Sequence, residues 1–505
     1  MTASVTPFNL SRVGRHGLVY GAGMLVSRGV AFIMLPVYTH YLTPDDYGVL
    51  QLVQMVLEVV SIVAGSRLGA GIFRFYHKAE TPAERRAVLS TALVVLLTSY
   101  ALAAVAMWAL APAIARTTFR GIQDVALVRV AGMGLAFEGL LLVPVAYLRV
   151  RDRSMFYVVM TTAKLLLQVA LNVVFVVYLR RGAMGVLLST LAANILAGVG
   201  LTAYLVRDVG VRLSASAARN LLRFGIPFVG TQIATFILTF GDRFFLKQVA
   251  DTAAVGLYGL AYQFGFLLAM LSEVPFSMVW EPARFEIANR PDRDEIYARS
   301  FIYFNVVLVT IAVCIALFVG DLLRVMAAPA FLPARDLVPI ILIAYVLQSW
   351  TLVHNVGIQV RERTEFYTLA TWAGALVALA GYVVLIPRLF GLGAALATVA
   401  SFAVREWAVY AVSQRLWPVR YRWGPVIRLL LVALAVCVAG LLLPRRDIWV
   451  SLGGRLLLLG AYLGGAWHAG VLSVDERLAI RRFIRSRTWW LAAPGERMQP
   501  ESAPK

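Results

Sequence analysis

About fourteen runs of roughly twenty apolar residues follow one another along this chain, separated by short charged segments. A helix of that length, rising about 1.5 Å per residue, matches the hydrocarbon thickness of a bilayer. A backbone inside that layer has to satisfy its own hydrogen bonds, which leaves the helix as the available form for segments of this kind. The expected spans are 17 to 37, 48 to 68, 88 to 112, 125 to 148, 156 to 179, 183 to 206, 225 to 247, 254 to 279, 300 to 320, 336 to 358, 366 to 386, 391 to 413, 425 to 443 and 450 to 470. With 60% hydrophobic and 15% charged residues and a mean hydropathy of +0.77, the chain has more apolar surface than a soluble core hides. The fold class expected is an all-α polytopic membrane protein. The first run follows Arg12 and Arg15 and ends in Pro36-Val-Tyr-Thr-His rather than at a small-residue cleavage site, so it is expected to remain as a transmembrane helix.

The loops carry a second constraint. The segment Arg149 to Tyr157 recurs as Val360 to Tyr367, with Arg151, Arg153, Phe156 and Tyr157 matched by Arg361, Arg363, Phe366 and Tyr367, each 210 residues later. Arg74 and Arg284 keep the same spacing, while Gly48 and Gly256, Gly185 and Gly393, and Thr190 and Thr398 are 208 apart. Self-similarity at a fixed period indicates duplication. The organisation expected is a six-helix lobe in 1–210, a second in 211–417, two further helices in 418–470 and a basic tail in 471–505. An even number of helices between the copies makes the repeats parallel.

Net charge is +20, but no basic patch interleaved with base-stacking aromatics appears on a soluble domain, so nucleic acid is not the expected partner. Roughly thirty Lys and Arg fall in the termini and even-numbered loops against about ten in the others, which places both termini in the cytoplasm. The tail beyond Val471 holds Arg477, Arg481, Arg482, Arg485 and Arg487 beside Trp489 and Trp490, a pattern open to a surface helix or to an uninvolved tail. Cys314 and Cys437 lie in apolar runs and form neither a disulfide framework nor a thiolate site. Without a phosphate-binding glycine loop, metal-spaced histidines or a soluble catalytic domain, neither an enzyme nor a cofactor is expected.

Charge inside the membrane marks the candidate site. Arg28, Glu58, Glu138 and Lys164 fall near mid-span, where each costs ~2.5 to 3.5 kcal/mol unless it faces protein or water. Helical spacing aligns Gln51, Gln54, Glu58 and Ser61 on one face of the second helix, and Thr161, Lys164, Gln168 and Asn172 on one face of the fifth. On the seventh it aligns Gln232, Thr235, Thr239 and Asp242, with Arg243 turned aside. Three polar stripes suggest a water-filled cavity between helices, with Arg28, Gln54, Glu58, Glu138, Lys164, Gln168, Asn172, Gln232, Thr235 and Asp242 as the candidate binding residues. The alternative is mutual pairing, Arg28 with Glu58 and Lys164 with Glu138, as structural links. Glu273, His354, Arg405 and Glu406 read as less central.

The opening run Gly17-Leu-Val-Tyr-Gly-Ala-Gly, with Leu35-Pro-Val-Tyr-Thr-His-Tyr-Leu-Thr-Pro-Asp-Asp-Tyr-Gly48 and Gly256-Leu-Tyr-Gly-Leu-Ala-Tyr262, resembles the polysaccharide transport family. These are the Wzx-type oligosaccharide flippases of the multidrug, oligosaccharidyl-lipid and polysaccharide exporter superfamily. Ser27-Arg28 followed by Gly-Val-Ala-Phe is similar to the first helix of lipid II flippases, where an arginine faces the cavity. The resemblance implies two six-helix lobes in a V and an inner-membrane flippase for an undecaprenyl-pyrophosphate-linked oligosaccharide of O-antigen, capsule or exopolysaccharide. Membrane lipid and other polysaccharide-assembly membrane proteins are its implied partners. A cation-coupled multidrug exporter is the nearest rival, kept open by Glu58 and Glu138 and opposed by Arg28 and Lys164. A polytopic glycan polymerase or ligase would need a larger outer loop than any here, and a scaffold would not need buried charge.

The charge asymmetry generates a topology test. Reporter fusions after Arg153 and after Arg363 are both expected to read as cytoplasmic, and readings on opposite sides would reject parallel repeats.

Overall fold

The computed structural model describes residues 34–65, 68–119, 124–443 and 448–471. Its helices are α1 (Leu35–Tyr41), α2 (Pro44–Ala64), α3 (Leu68–Lys78), α4 (Pro82–Ile114), α5 (Val125–Val150), α6 (Ser154–Asn172), α7 (Gly182–Val209), α8 (Ala215–Val249), α9 (Thr252–Ala288), α10 (Arg293–Met326), α11 (Val338–His354), α12 (Val356–Val360), α13 (Glu365–Leu416), α14 (Trp423–Leu442) and α15 (Ile448–His468). π-helical turns extend α4 over Ala115–Phe119 and α6 over Val173–Tyr178, and a 3-10 helix, Pro329–Asp336, joins α10 to α11. Among the described residues, eleven spans are long and apolar enough to cross a membrane. One of them, Glu365–Leu416, runs for 52 residues and breaks at Phe390, where φ is 50°, three residues after Pro387. It therefore accounts for two of the expected spans. The first expected span, Arg28 included, lies outside the described residues apart from its end, as does the tail beyond Val471.

Local sequence sets where the helices begin. Before α2, the Thr43 hydroxyl accepts from Asp46 N at 3.1 Å while Asp46 Oδ2 accepts from Thr43 N at 3.1 Å, and Pro44 occupies the first turn. Before α4, Thr81 and Glu84 make the same reciprocal pair around Pro82. Each box satisfies two amide donors that a helix start leaves unpaired, and proline loses nothing there.

The period of the sequence recurs in the backbone. Arg153 N donates to Leu148 O at 2.9 Å and Asp152 N to Arg149 O at 3.2 Å; Arg363 N donates to Ile358 O at 2.9 Å and Glu362 N to Gln359 O at 3.1 Å. These are matching helix-ending turns of the type that needs a left-handed residue. Asp152 and Glu362 take that role at φ 54° and 55°. Among the described residues the non-glycine positions with positive φ are Asp152, Arg180, Glu362 and Phe390, two pairs each separated by 210.

The helices pack in a chain of neighbours: α5 lies against α4 and α7, α8 against α13, α9 against α2 and α11, and α14 and α15 against each other and α10. The tightest approach joins α2 to α9. A Cβ on Gly48 would stand 1.9 Å from Thr252 O, and one on Gly256 would stand 2.1 Å from Pro44 O. Pro44 and Thr252 are 208 apart, like the two glycines, so the contact is reciprocal. Between α7 and α8 the connecting residues are clamped onto α4, with Ser90 Oγ donating to Gly210 O at 2.7 Å and Ser214 N donating to Thr91 Oγ1 at 3.0 Å.

Backbone, not a flexible side chain, lies opposite each glycine of the crossing. Gly48→Ala and Gly256→Ala are each expected to cost at least ~1 to 3 kcal/mol through overpacking. A lowered unfolding midpoint of the purified protein in detergent is the readout. Gly460→Ala, with nothing within 4 Å of its Cβ, is expected to leave the midpoint unchanged.

Candidate functional site

Three of the mid-span charges lie on neighbouring helices. Glu58 is on α2, Glu138 on α5 and Lys164 on α6, and Glu138 lies in electrostatic range of both Lys164 and Glu58. Tyr100 of α4, buried against Gly139, is in range of both carboxylates. Glu138 and Gln54 are exposed while Glu58 and Lys164 are half-buried. Charge at this depth is costly against lipid and is accommodated where it faces protein or water. Among the described residues none of the three makes an ion pair within 4 Å, so Lys164 and Glu138 influence each other across a gap rather than in a closed bridge. Such an arrangement is open to a further charged group.

Other residues of the polar stripes tie helices together. Gln168 Nε2 donates to Thr190 Oγ1 of α7 at 3.0 Å, and Asn172 Nδ2 donates to Tyr38 OH of α1 at 2.8 Å, while Ser189 Oγ of α7 donates to Asn172 Oδ1. Thr235 turns its hydroxyl back onto Thr231 O at 2.8 Å, and Gln232 is half-buried on the same helix. Gln51, one turn before Gln54, is buried and reaches across to α8.

There the structure corrects a reading of the sequence. Spacing along α8 turns Arg243 aside, but its side chain is fully buried with that of Asp242. Its guanidinium donates to Asp242 Oδ1 at 2.9 Å, to Thr239 O at 2.7 Å and to Gln51 Oε1 at 3.2 Å. It also lies 4.6 Å from the centre of the Tyr262 ring and 5.0 Å from that of Phe240. Tyr258 OH completes the shell by donating to Asp242 Oδ2 at 2.6 Å. Burial of an ion pair is tolerated when every arm has a partner, and this one links α2, α8 and α9.

A second polar cluster, given little weight by sequence, lies between α9, α11 and α13. His354 is buried with its Nδ1 bonded to Glu406, and the rings of Phe301, Tyr421 and Tyr410 stand 4.5, 4.7 and 5.0 Å away. Glu273 Oε1 accepts from Ser349 at 2.7 Å, and Arg405 Nη2 donates to Thr351 Oγ1 at 3.4 Å. The adjacent acid and base, Arg405 and Glu406, are no signal on their own, because only the fold brings His354 to them.

Residues 37–289 match the model of the family described as polysaccharide biosynthesis protein. No protein of curated function matches the sequence. Among solved structures, the lipid II flippase MurJ in an inward closed conformation aligns with a TM-score of 0.73 at 11% identity, covering 93% of this chain and 100% of that one. An inward-facing multidrug resistance MATE family transporter of the MOP superfamily gives 0.58 at 16%, covering 79% and 97%. The MATE multidrug transporter DinF-BH gives 0.58 at 15%, covering 82% and 96%. At these identities the likeness is one of fold, and the fold is that of a polytopic all-α membrane protein.

Removing one partner of the Asp242–Arg243 pair strands the other in a dry interior. Arg243→Met is expected to destabilise the protein by ~3 to 5 kcal/mol. Adding Asp242→Asn should restore part of that loss in the thermal unfolding of the purified protein. A single variant as stable as the parent would show that the pair does not hold the helices together.

Proposed function

The chain belongs to the polysaccharide biosynthesis protein family, and from that premise we propose that it is a flippase for an undecaprenyl-pyrophosphate-linked oligosaccharide, carrying it from the cytoplasmic to the periplasmic leaflet of a bacterial inner membrane. The observation that supports the reading is that Glu138 lies in electrostatic range of both Lys164 and Glu58, three charged groups on three membrane-spanning helices, with no ion pair within 4 Å among the described residues. A glycan cannot cross hydrocarbon, because its hydroxyls would lose their hydrogen bonds to water. A polar interior supplies substitutes. In this reading the sugar and pyrophosphate enter that space, the polyprenyl chain stays in the bilayer, and lobes 1–210 and 211–417 rock to open it to each side in turn. The helices of 418–470 are an addition to the transporting core.

Arg28 is the proposed anchor of the pyrophosphate, from its depth in the first span. A guanidinium remains ionised and meets phosphate oxygens in pairs, whereas Lys offers a point charge. Lys164 is the second cation, while Glu58 and Glu138 keep the empty cavity from holding a surplus of positive charge. A multidrug exporter is the second reading, favoured by those same carboxylates, which suit a cationic substrate.

Vesicles holding a fluorescent undecaprenyl-pyrophosphate glycan, quenched from outside, distinguish these readings. The protein is expected to expose the glycan, and Arg28→Ala to slow this roughly ten- to a hundredfold through the loss of a charge-assisted bond. Arg28→Lys should keep part of the rate. If Arg28 instead serves only to neutralise Glu58, the double variant Arg28→Ala with Glu58→Ala recovers both abundance and transport, and the anchor role is rejected. Export of a cationic dye with no movement of the glycan would favour the exporter.

A further inference from the structure

The two Arg-rich repeated turns have different neighbours. In the second half Arg293 stands 4.3 Å and Arg361 4.8 Å from the centre of the Trp417 ring, so one indole takes up two guanidinium groups. Gly357 makes room for it, since a Cβ there would lie 3.0 Å from Trp417 Cβ. The period carries each of these residues back to the first half. Arg85 precedes Arg293 by 208 positions, Arg151 precedes Arg361 by 210, Tyr147 precedes Gly357 by 210 and Asp208 precedes Trp417 by 209. There a tyrosine stands for the glycine and a short acid for the indole, and Tyr147 OH donates to Asp208 Oδ2. In place of the indole a cleft of about 180 Å3 opens between the end of α3, the start of α4, the turn after α5 and the end of α7.

The cleft is basic. Arg85, Arg86 and Arg151 line it against a single carboxylate, that of Asp208. Among the described residues none of the three arginines makes an ion pair within 4 Å. Arg85 Nε donates to Ala79 O at 3.2 Å and its guanidinium lies 5.7 Å from the centre of the Tyr76 ring, while that of Arg151 lies 5.9 Å from that of Tyr147. Both tyrosines are buried, as are Leu89 and Val209 of the same lining. The cations therefore rest on a packed wall, with the terminal nitrogens of Arg85 and Arg151 and all of Arg86 left without a hydrogen bond to protein among the described residues.

We propose that this cleft is a binding site for a phosphate ester, held by the forks of Arg86 and Arg151 with Arg85 beside them. Three like charges around one space repel, and an anion between them removes that cost. A guanidinium pairs with phosphate oxygens through two parallel bonds, and basic pockets at the ends of membrane helices suit phosphate head groups. The cleft is smaller than the roughly 300 Å3 at which drug-sized ligand pockets begin, so it is sized for a phosphate with little attached and not for an oligosaccharide. In the second half Trp417 occupies the corresponding place, so the site belongs to the first half alone. It does not depend on the flippase reading.

The test uses the purified full-length protein in detergent, titrated separately with phosphatidylglycerol, phosphatidylcholine and glycerol 3-phosphate, and read by native mass spectrometry and by the unfolding midpoint. Preferential retention of phosphatidylglycerol over phosphatidylcholine assigns the site to a lipid head group, and a midpoint raised by glycerol 3-phosphate assigns it to a soluble phosphate ester. In either case Arg86→Gln with Arg151→Gln is expected to weaken binding about fivefold per arginine removed. The proposal is overturned if phosphatidylglycerol is held no better than phosphatidylcholine and glycerol 3-phosphate has no effect, or if the folded double variant binds as the parent does. Should the double variant fail to fold, Asp208→Asn decides, because it removes the one negative charge and keeps an oxygen to accept from Tyr147. It is expected to tighten binding, and unchanged or weaker binding overturns the site.

Discussion

The structure depends on how closely two backbones approach at one crossing. With Gly48 opposite Thr252 and Gly256 opposite Pro44, α2 and α9 touch main chain to main chain. In lipid, where apolar side chains gain nothing by leaving the solvent, association rests on van der Waals fit and interhelical hydrogen bonds, and small residues let both form. The consequences run along both helices. One turn further, Gly259 leaves room for Gln51, which then reaches Arg243 on α8. Without the close crossing that amide would not reach the guanidinium, and Arg243 and Asp242 would be charges in a dry core without their third helix.

The polar residues of the membrane interior divide by what surrounds them. Asn172, Gln168, Arg243 and His354, the last through Nδ1, bond to neighbouring helices and fix those helices in place. Glu58, Glu138 and Lys164 influence one another without closing into a pair. A closed pair is satisfied, whereas charges held apart around a space keep a field in it. That distinction, rather than mere depth in the membrane, separates the two groups.

Much of the fold was legible because it is written in local chemistry. Apolar runs mark the membrane spans and the repeated Arg-rich turns carry the internal period, whereas the capping pairs Thr43 with Asp46 and Thr81 with Glu84 start α2 and α4 at Pro44 and Pro82, ahead of the expected 48 and 88. Sequence spacing also put Glu58, Gln54 and Gln51 on one face of α2. It could not say what that face meets: Gln51 meets α8, Gln54 is exposed, and Glu58 lies in electrostatic range of Glu138. Arg243 was misread for the same reason. It follows Asp242 by about 100° around the helix, and only the position of α2 makes that direction an interior one. His354 and Glu406 are 52 residues apart, a separation at which periodicity carries no information.

A crossing without side chains has nothing to repack, so it cannot slide as a ratchet of leucines can. If the two halves change their relative tilt, the contact at Gly48 and Gly256 restricts them to turning about it, as a beam turns on its fulcrum. Displacement then grows with distance from that point. α2 continues for about 24 Å beyond Gly48 at 1.5 Å per residue, so a small angular change at the pivot becomes a wide excursion at its far end. The same geometry makes the pivot intolerant of any added atom while leaving the distant end free to move.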